Sequence, residues 1–218
     1  MKRIAIIPLI LTSLVLSVTS CAADEKQPTS AADGCKEVLG PSGIKWVESH
    51  AAVDKGETVE RDGVNLEENR EEYFKQMNSW DPKGYHWSSE LCTMSAFTSG
   101  KNKVFRIEFG PSSVPFDFDK RSSEGVTTTV NKDVKLHQAK DAQGVTRYGI
   151  YVKCKVPGTP PQQESKTPLA GVLTDTLTEG TASDDHVTYL LRSTRAVANS
   201  LKCENKPVIP ANFSAPKQ

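Results

Sequence analysis

Histidines with neighbouring acidic residues are the first candidates for acid–base or metal chemistry. The four histidines of the chain are His50, His86, His137 and His186. No two of them have the HxH, HxxxH or HExxH spacing that presents a metal site on one element. His186 follows Asp184 and Asp185, and such a cluster could transfer protons. We interpret it instead as an exposed histidine at the start of a helix that Ser183 or Asp184 caps.

Serine nucleophiles and paired carboxylates lack the sequence context that catalysis needs. The chain contains no GxSxG and no SxxK, and Ser112 and Ser113 follow a Gly-Pro pair that favours a loop. The glutamate pairs at 67–68 and 71–72 favour a solvated helix face over a glycosidase cleft, and no glycine-rich phosphate loop is present. We therefore assign no catalytic residue, no metal ligand and no cofactor. The alternative is a hydrolase whose site forms only in the fold.

Aromatic residues cluster on both sides of the turn sequence Asp81-Pro82-Lys83-Gly84. Exposed aromatic side chains on a loop can grip a sugar or a protein partner. The simpler interpretation is that Trp80 and Trp87 close one end of the hydrophobic core. Trp80, Tyr85 and Trp87 are nevertheless the candidate binding residues of the chain, and the expected ligand is an unidentified protein or cell-wall component.

The first twenty residues have the organisation of an export signal. Lys2 and Arg3 precede an apolar stretch from Ile4 to Val18, and small residues follow it. The apolar stretch is about fifteen residues long, whereas spanning a bilayer takes ~20. Residues 1–20 are therefore predicted to be removed from the mature protein.

The end of this signal, Val18-Thr19-Ser20-Cys21, resembles the lipobox of bacterial lipoprotein precursors. The resemblance implies that Cys21 is acylated on its sulfur and becomes the N-terminus after cleavage. Two or more acyl chains give stable anchoring, so the resemblance places the protein on the extracytoplasmic face of the cell membrane. The alternative is an ordinary signal peptide with Cys21 in a disulfide bond.

The segment after Cys21 has the composition of a tether. Residues 22–34 contain no large apolar side chain and cannot bury enough surface to offset the entropy of ordering. We divide the chain into the signal (1–20), the lipidated cysteine and flexible tether (21–34), one domain (35–205) and an extended tail (206–218).

The net charge excludes one class of partner. The chain has 27 basic and 27 acidic residues, and such a balance argues against nucleic-acid binding, which needs a basic surface. Removing Lys2 and Arg3 leaves 25 basic residues (27 minus 2) and a mature net charge of −2. Electrostatic attraction to anionic lipid is therefore not expected.

Lipidation of Cys21 leaves an even number of cysteines: Cys35, Cys92, Cys154 and Cys203. Disulfide bonds persist outside the membrane, and four cysteines allow three pairings. Cys35–Cys92 with Cys154–Cys203 is the favoured pairing, because each bond then closes a loop of about fifty residues between neighbouring elements. Nested or crossed pairings and free buried thiols are the alternatives.

Hydrophobic periodicity predicts the elements that position these residues. A helix is expected at 65–80, where Asn65 and Glu68 form a capping box, and another from 183 to about 202 with an apolar stripe. Alternation predicts strands at 91–98, 103–109, 126–130 and 147–156, the first two as an antiparallel hairpin. The expected fold is α+β, an antiparallel sheet with helices packed on one face and two disulfide bonds.

The C-terminal sequence YLLRSTRAVANSLKCENKPVIP carries a second resemblance. It is weakly similar to the closing helix and cysteine of small uncharacterised actinobacterial lipoproteins. This resemblance implies no activity, substrate or cofactor.

Overall fold

A computed structural model describes residues 32–78, 81, 84–118, 125–178 and 180–213 of the chain. The predicted signal, Cys21, most of the predicted tether and Trp80 lie outside these residues. The helices of the described residues are α1 (Ala32–His50), α2 (Leu66–Asn78), α3 (Gln163–Lys166) and α4 (Ser183–Leu201). The strands are β1 (Glu60–Asp62), β2 (Ser89–Thr98), β3 (Lys101–Pro111), β4 (Val126–Thr129), β5 (Val134–Lys140), β6 (Thr146–Val152) and β7 (Leu169–Asp175).

The seven strands form one antiparallel sheet in the order β1-β2-β3-β7-β6-β5-β4. The predicted hairpin is confirmed as β2 and β3, with Thr98 opposite Lys101. Ser99 and Gly100 alone make the turn, with φ angles of 49° and 73°. Such two-residue turns match the right-handed twist of the flanking strands, so the register of the hairpin is fixed at its tip.

Helices α1, α2 and α4 pack on one face of this sheet, which confirms the predicted α+β layers. The apolar stripe of α4 is buried as expected, through Leu190, Leu191, Thr194, Val197, Ala198 and Leu201. Lys202 adopts a left-handed conformation after the last turn. The chain therefore turns back at Cys203, as the sequence predicts.

Both favoured disulfide bonds are present. Cys35–Cys92 joins α1 to β2 with a Cα–Cα distance of 4.5 Å. Cys154–Cys203 joins the chain after β6 to the end of α4, with a Cα–Cα distance of 5.1 Å. Each bond links the helical layer to the sheet, and all four sulfur-bearing side chains are buried.

Helix α1 has no counterpart among the predicted elements. It begins at Ala32, so the last three residues of the predicted tether belong to a helix. Gly40, with φ 64° and ψ 173°, interrupts the helical conformation just before Pro41. The Gly-Pro pair hides the helix in the sequence, although Val38, Leu39 and Val47 on either side are fully buried.

The predicted extended tail is bound to the domain over its described part, residues 206–213. The Asn131 amide donates to the Val208 carbonyl at 2.8 Å, and the Arg195 guanidinium donates to the Pro210 carbonyl at 2.8 Å. Ile209 and Phe213 pack against the core while half-buried. This part of the tail therefore contributes to the packing of α4.

Candidate functional site

The segment 84–88 connects the region after α2 to strand β2 and exposes two aromatic side chains. Tyr85 is 87% exposed and Trp87 is 54% exposed. Trp87 therefore does not close the core, and the simpler of the two sequence interpretations is wrong for this residue. Trp80, the third candidate, lies outside the described residues. We call Tyr85 and Trp87 the aromatic surface.

The backbone beneath the aromatic surface is held by a buried glutamine of α2. Gln76 is 5% exposed; its amide nitrogen donates to the Trp87 carbonyl at 3.1 Å, and its amide oxygen accepts from the Trp87 N–H at 3.2 Å. The His86 N–H donates to Ser113 Oγ at 3.2 Å. A Cβ at Gly110 would lie 2.5 Å from the Trp87 carbonyl oxygen, so this position accepts no side chain. The chain is thereby fixed while its aromatic side chains stay in solvent.

The histidine between the two aromatic residues has a lowered pKa. Burial lowers the pKa of His86, and this outweighs the opposing effects of the hydrogen bond and charge of Asp81. The segment therefore presents rings, a phenol hydroxyl and an indole N–H beside a histidine whose charged form is disfavoured. Such groups stack and donate hydrogen bonds, which suits recognition rather than acid–base catalysis.

His186 is buried, and the prediction that it is exposed is wrong. It is 4% exposed, and its partner is Asp175 at the end of β7, eleven residues earlier, with 2.6 Å between Nε2 and Oδ2. Asp184 and Asp185 lie on the solvent side. The residue before α4 is Ala182, with no side-chain cap, so the predicted capping by Ser183 or Asp184 is also wrong. The N-terminus of the helix is fixed through His186 instead.

Asp175 and His186 each accept or donate further hydrogen bonds besides the one between them. Oδ1 of Asp175 accepts from the N–H groups of Leu177 at 2.8 Å and Thr178 at 3.0 Å, and Oδ2 accepts from the Thr178 hydroxyl. Burial raises the pKa of Asp175, but these bonds and the one from His186 outweigh burial and lower it. Nδ1 of His186 lies 3.0 Å from the Ala182 carbonyl, which can only accept. Both ring nitrogens of His186 are thus engaged, Nδ1 with the Ala182 carbonyl and Nε2 with Asp175.

This arrangement makes the pair a structural element. A general base needs a ring nitrogen with a free lone pair within reach of a substrate, and neither nitrogen of His186 has one. Tyr148 stacks on the imidazole with ring centroids 4.8 Å apart, and Trp46 approaches at 5.8 Å with an interplanar angle of 88°. The rings of α1 and β6 therefore enclose a buried hydrogen-bonded pair that joins α4 to β7.

The serines and carboxylates considered for catalysis have structural partners. Ser112 Oγ donates to the Val114 carbonyl at 2.8 Å and accepts from the Val114 N–H at 2.9 Å, while Ser113 accepts from the His86 backbone. Glu67, with a side chain 74% exposed, lies 3.6 Å from the Arg70 guanidinium. Within the described ranges no three histidine, cysteine, aspartate or glutamate side chains are grouped so that they could hold a metal ion.

A groove lies between α2 and α4, and neither Tyr85 nor Trp87 lines it. It encloses about 650 Å³. Its walls are Arg70, Glu71, Phe74, Lys75, Asn78, Pro157, Ser200, Leu201 and Lys202. A second groove of about 510 Å³ shares Lys202 and extends under the tail. The larger groove combines both signs of charge with an apolar wall, and neither histidine nor cysteine lines it, so it offers no acid–base or nucleophilic group of those types.

None of the helices in the described part of the chain combines the length and the hydrophobicity that crossing a lipid bilayer requires. No protein-family model, no curated protein and no solved structure matches the chain.

Proposed function

We propose that this protein is a membrane-anchored extracytoplasmic lipoprotein whose domain is a noncatalytic binding module. The observation that carries the binding role is the aromatic surface, where Tyr85 and Trp87 are exposed on a backbone that Gln76 holds in place. Aromatic residues dominate binding energy at interfaces, and a fixed backbone lowers the entropy lost on binding. The domain thus presents a ready-made recognition surface.

The cysteine count supports the anchor. The chain has five cysteines, and four of them are paired in Cys35–Cys92 and Cys154–Cys203. Cys21 has no cysteine of its own chain left as a disulfide partner. Its position at the end of the lipobox-like sequence supports a role as the acylated N-terminus of the mature protein.

The chemistry of the buried groups supports a noncatalytic role. The buried pair of His186 with Asp175 has both ring nitrogens of the histidine engaged. The serines that follow Gly110-Pro111 serve the geometry of their own loop. The described side chains therefore support a binding role better than a catalytic one.

The anchor is tested by Cys21→Ala. Cells expressing the wild type are expected to retain the protein in the membrane fraction through washes with high salt and with carbonate. The variant is expected in the soluble extracytoplasmic fraction, with Cys21→Ala leaving both disulfide bonds of the domain intact. Retention of the variant through both washes would contradict anchoring at Cys21.

The binding role is tested by photo-crosslinking from the aromatic surface. A photoreactive phenylalanine analogue replaces Tyr85 in the anchored protein, and the same analogue replaces Phe97, which is 70% exposed near the hairpin tip, as the matched control. Adducts are expected from position 85 in excess over position 97, and Trp87→Ala should reduce them. Equal adduct yields from the two positions would contradict a binding site at the aromatic surface.

A further inference from the structure

The described chain begins close to the aromatic surface. Gly34, in the first turn of α1, packs so tightly that a Cβ there would lie 2.3 Å from the carbonyl oxygens of Leu91 and Val64. Cys35 is bonded to Cys92 one residue further along β2. Trp87 precedes Leu91 by four residues, about 13 Å of extended chain. The chain therefore enters the domain at the same end of the sheet that carries Tyr85 and Trp87.

The far end of the sheet carries Phe97. Ten residues of extended chain, about 33 Å, separate Phe97 from Trp87. Helix α1 runs in the same direction as β2. The chain just after α1 therefore reaches the end of the sheet that carries Phe97, where the Asp54 N–H donates to Thr98 Oγ1 at 3.2 Å. The two exposed aromatic sites thus mark opposite ends of the domain.

The number of residues between Cys21 and the domain limits how the domain can be oriented relative to the bilayer. Ten residues lie between Cys21 and Ala32, and eleven Cα–Cα steps span at most about 40 Å even when fully extended. Holding the far end against the bilayer would require the chain to pass along the whole domain, which takes nearly this entire length. An anchor at Cys21 therefore favours an orientation with the aromatic surface toward the lipid.

The side chains at this end suit a bilayer interface. Tryptophan and tyrosine concentrate where lipid headgroups meet the hydrocarbon, because each combines an apolar ring with a polar group. Lys36 and Glu37, of opposite charge, are exposed early in α1, and the mature chain carries a net charge of −2 by sequence. Contact with lipid would then depend on the aromatic rings and not on attraction to anionic headgroups.

We propose that the ligand of the aromatic surface is the lipid surface of the membrane that holds the anchor, with Tyr85 and Trp87 seated among the headgroups. This inference rests on the proposed anchoring at Cys21 and names the partner of the same site. In this orientation, the end of the domain at which β2 begins faces the bilayer. The hairpin tip, with Phe97, points away from the membrane.

The test uses the full-length lipidated protein in vesicles of phosphatidylethanolamine and phosphatidylglycerol in equal amounts. One set of vesicles carries brominated acyl chains, which quench tryptophan emission on contact. Comparison of the wild type with Trp87→Phe isolates the emission of Trp87. The matched control is the double variant Trp87→Phe and Phe97→Trp, which moves the indole to the far end of the sheet.

We expect brominated lipid to remove most of the emission assigned to Trp87 and to leave that of the control indole unchanged. Flotation of the vesicles reports anchoring separately. Protein that floats while Trp87 stays unquenched would overturn the lipid contact and leave the anchor intact, pointing to a protein or cell-wall ligand instead. Protein that fails to float would overturn the anchor, and the lipid contact with it.

Discussion

The structure pairs His186 with Asp175, whereas the sequence alone suggested Asp184 and Asp185 as its acidic neighbours. Substitution of Asp175 therefore distinguishes the two arrangements. Asp175→Asn keeps the size of the side chain and its acceptor for the N–H groups of Leu177 and Thr178, but removes the negative charge beside the imidazole. Both members of the pair are buried, with side chains 6% and 4% exposed. Removing one partner of a buried ion pair costs ~3–5 kcal/mol, so we expect Asp175→Asn to destabilise the protein by about 3 kcal/mol.

Asp184→Asn is the matched control. Asp184 is exposed in the first turn of the same helix and is one of the two residues that the sequence suggested as neighbours of His186. Its loss removes an interaction with the helix dipole worth ~0.3–1 kcal/mol. The two substitutions are chemically identical, and they differ only in whether the carboxylate contacts His186.

Urea unfolding at neutral pH, followed by circular dichroism with the disulfide bonds intact, measures both variants. With a slope of about 2 kcal/mol/M, a loss of about 3 kcal/mol lowers the midpoint by about 1.5 M. Asp184→Asn should move the midpoint by less than a third of that amount. A shift for Asp175→Asn no larger than that of Asp184→Asn would refute the structural role of the pair.

The same pair predicts a dependence on pH whose sign follows from Asp175. Its pKa is lowered in the folded state, so its contribution is fully present above the ordinary aspartate value of about 3.9. The contribution is lost as the pH falls from that value through the lower folded pKa. As the pH falls below about 4, the wild type should therefore lose stability more steeply than Asp175→Asn.

Three further substitutions test the remaining parts of the fold. Gln76→Ala leaves the Trp87 N–H and carbonyl without their partner; it should cost ~1–3 kcal/mol and lower the fluorescence anisotropy of Trp87, and an unchanged anisotropy would contradict the fixed backbone. Replacing Cys154 and Cys203 together by serine opens a 49-residue separation and should cost about 4 kcal/mol in the chain-entropy account, measured by thermal unfolding. Asn65→Ala removes the cap of α2 and should cost about 1 kcal/mol, whereas a loss below the error of urea titration would contradict the capping box.

Sequence periodicity was sufficient for α2, β3 and α4, where apolar positions recur at the spacing of a helix or a strand. Helix α2 begins as predicted, with the Glu68 N–H donating to Asn65 Oδ1 at 2.9 Å and the Asn65 amide returning a bond to Glu68 at 3.0 Å. The alternation of β3 and the apolar stripe of α4 were equally clear. The disulfide pairing was correct although the bonded elements are not neighbours in the chain: β1 and α2 lie between Cys35 and Cys92, and α3 and β7 lie between Cys154 and Cys203.

Two of the elements that the sequence did not predict, α1 and β7, contain glycines whose role is visible only in the fold. Gly40 interrupts the helical pattern of α1, and its φ of 64° is a backbone conformation that residues with a side chain rarely adopt. Gly171 makes β7 look unlike a strand, yet a Cβ there would lie 2.3 Å from the Phe109 ring. Gly40 is therefore explained by its own backbone, and Gly171 by a side chain from a distant part of the chain.

The candidate site was predictable in its residue types but not in its geometry. Exposed aromatic residues on a loop suggested binding, but the sequence could not separate this from closure of the core, because the support of Trp87 comes from Gln76 and Gly110 on other elements. The partner of His186 could not be predicted either. Two acidic residues adjacent in sequence were more conspicuous than Asp175, which reaches the imidazole only after β7 and α4 pack together.

The central claim is that Cys21 carries the lipid that holds this domain at the membrane. Metabolic labelling with an alkyne analogue of palmitate, followed by intact-mass measurement of the purified protein, tests it most directly. We predict a labelled protein that begins at Cys21 and carries the mass of at least two acyl chains, and no label in Cys21→Ala. An unlabelled mature protein, or label that persists in Cys21→Ala, would contradict the claim.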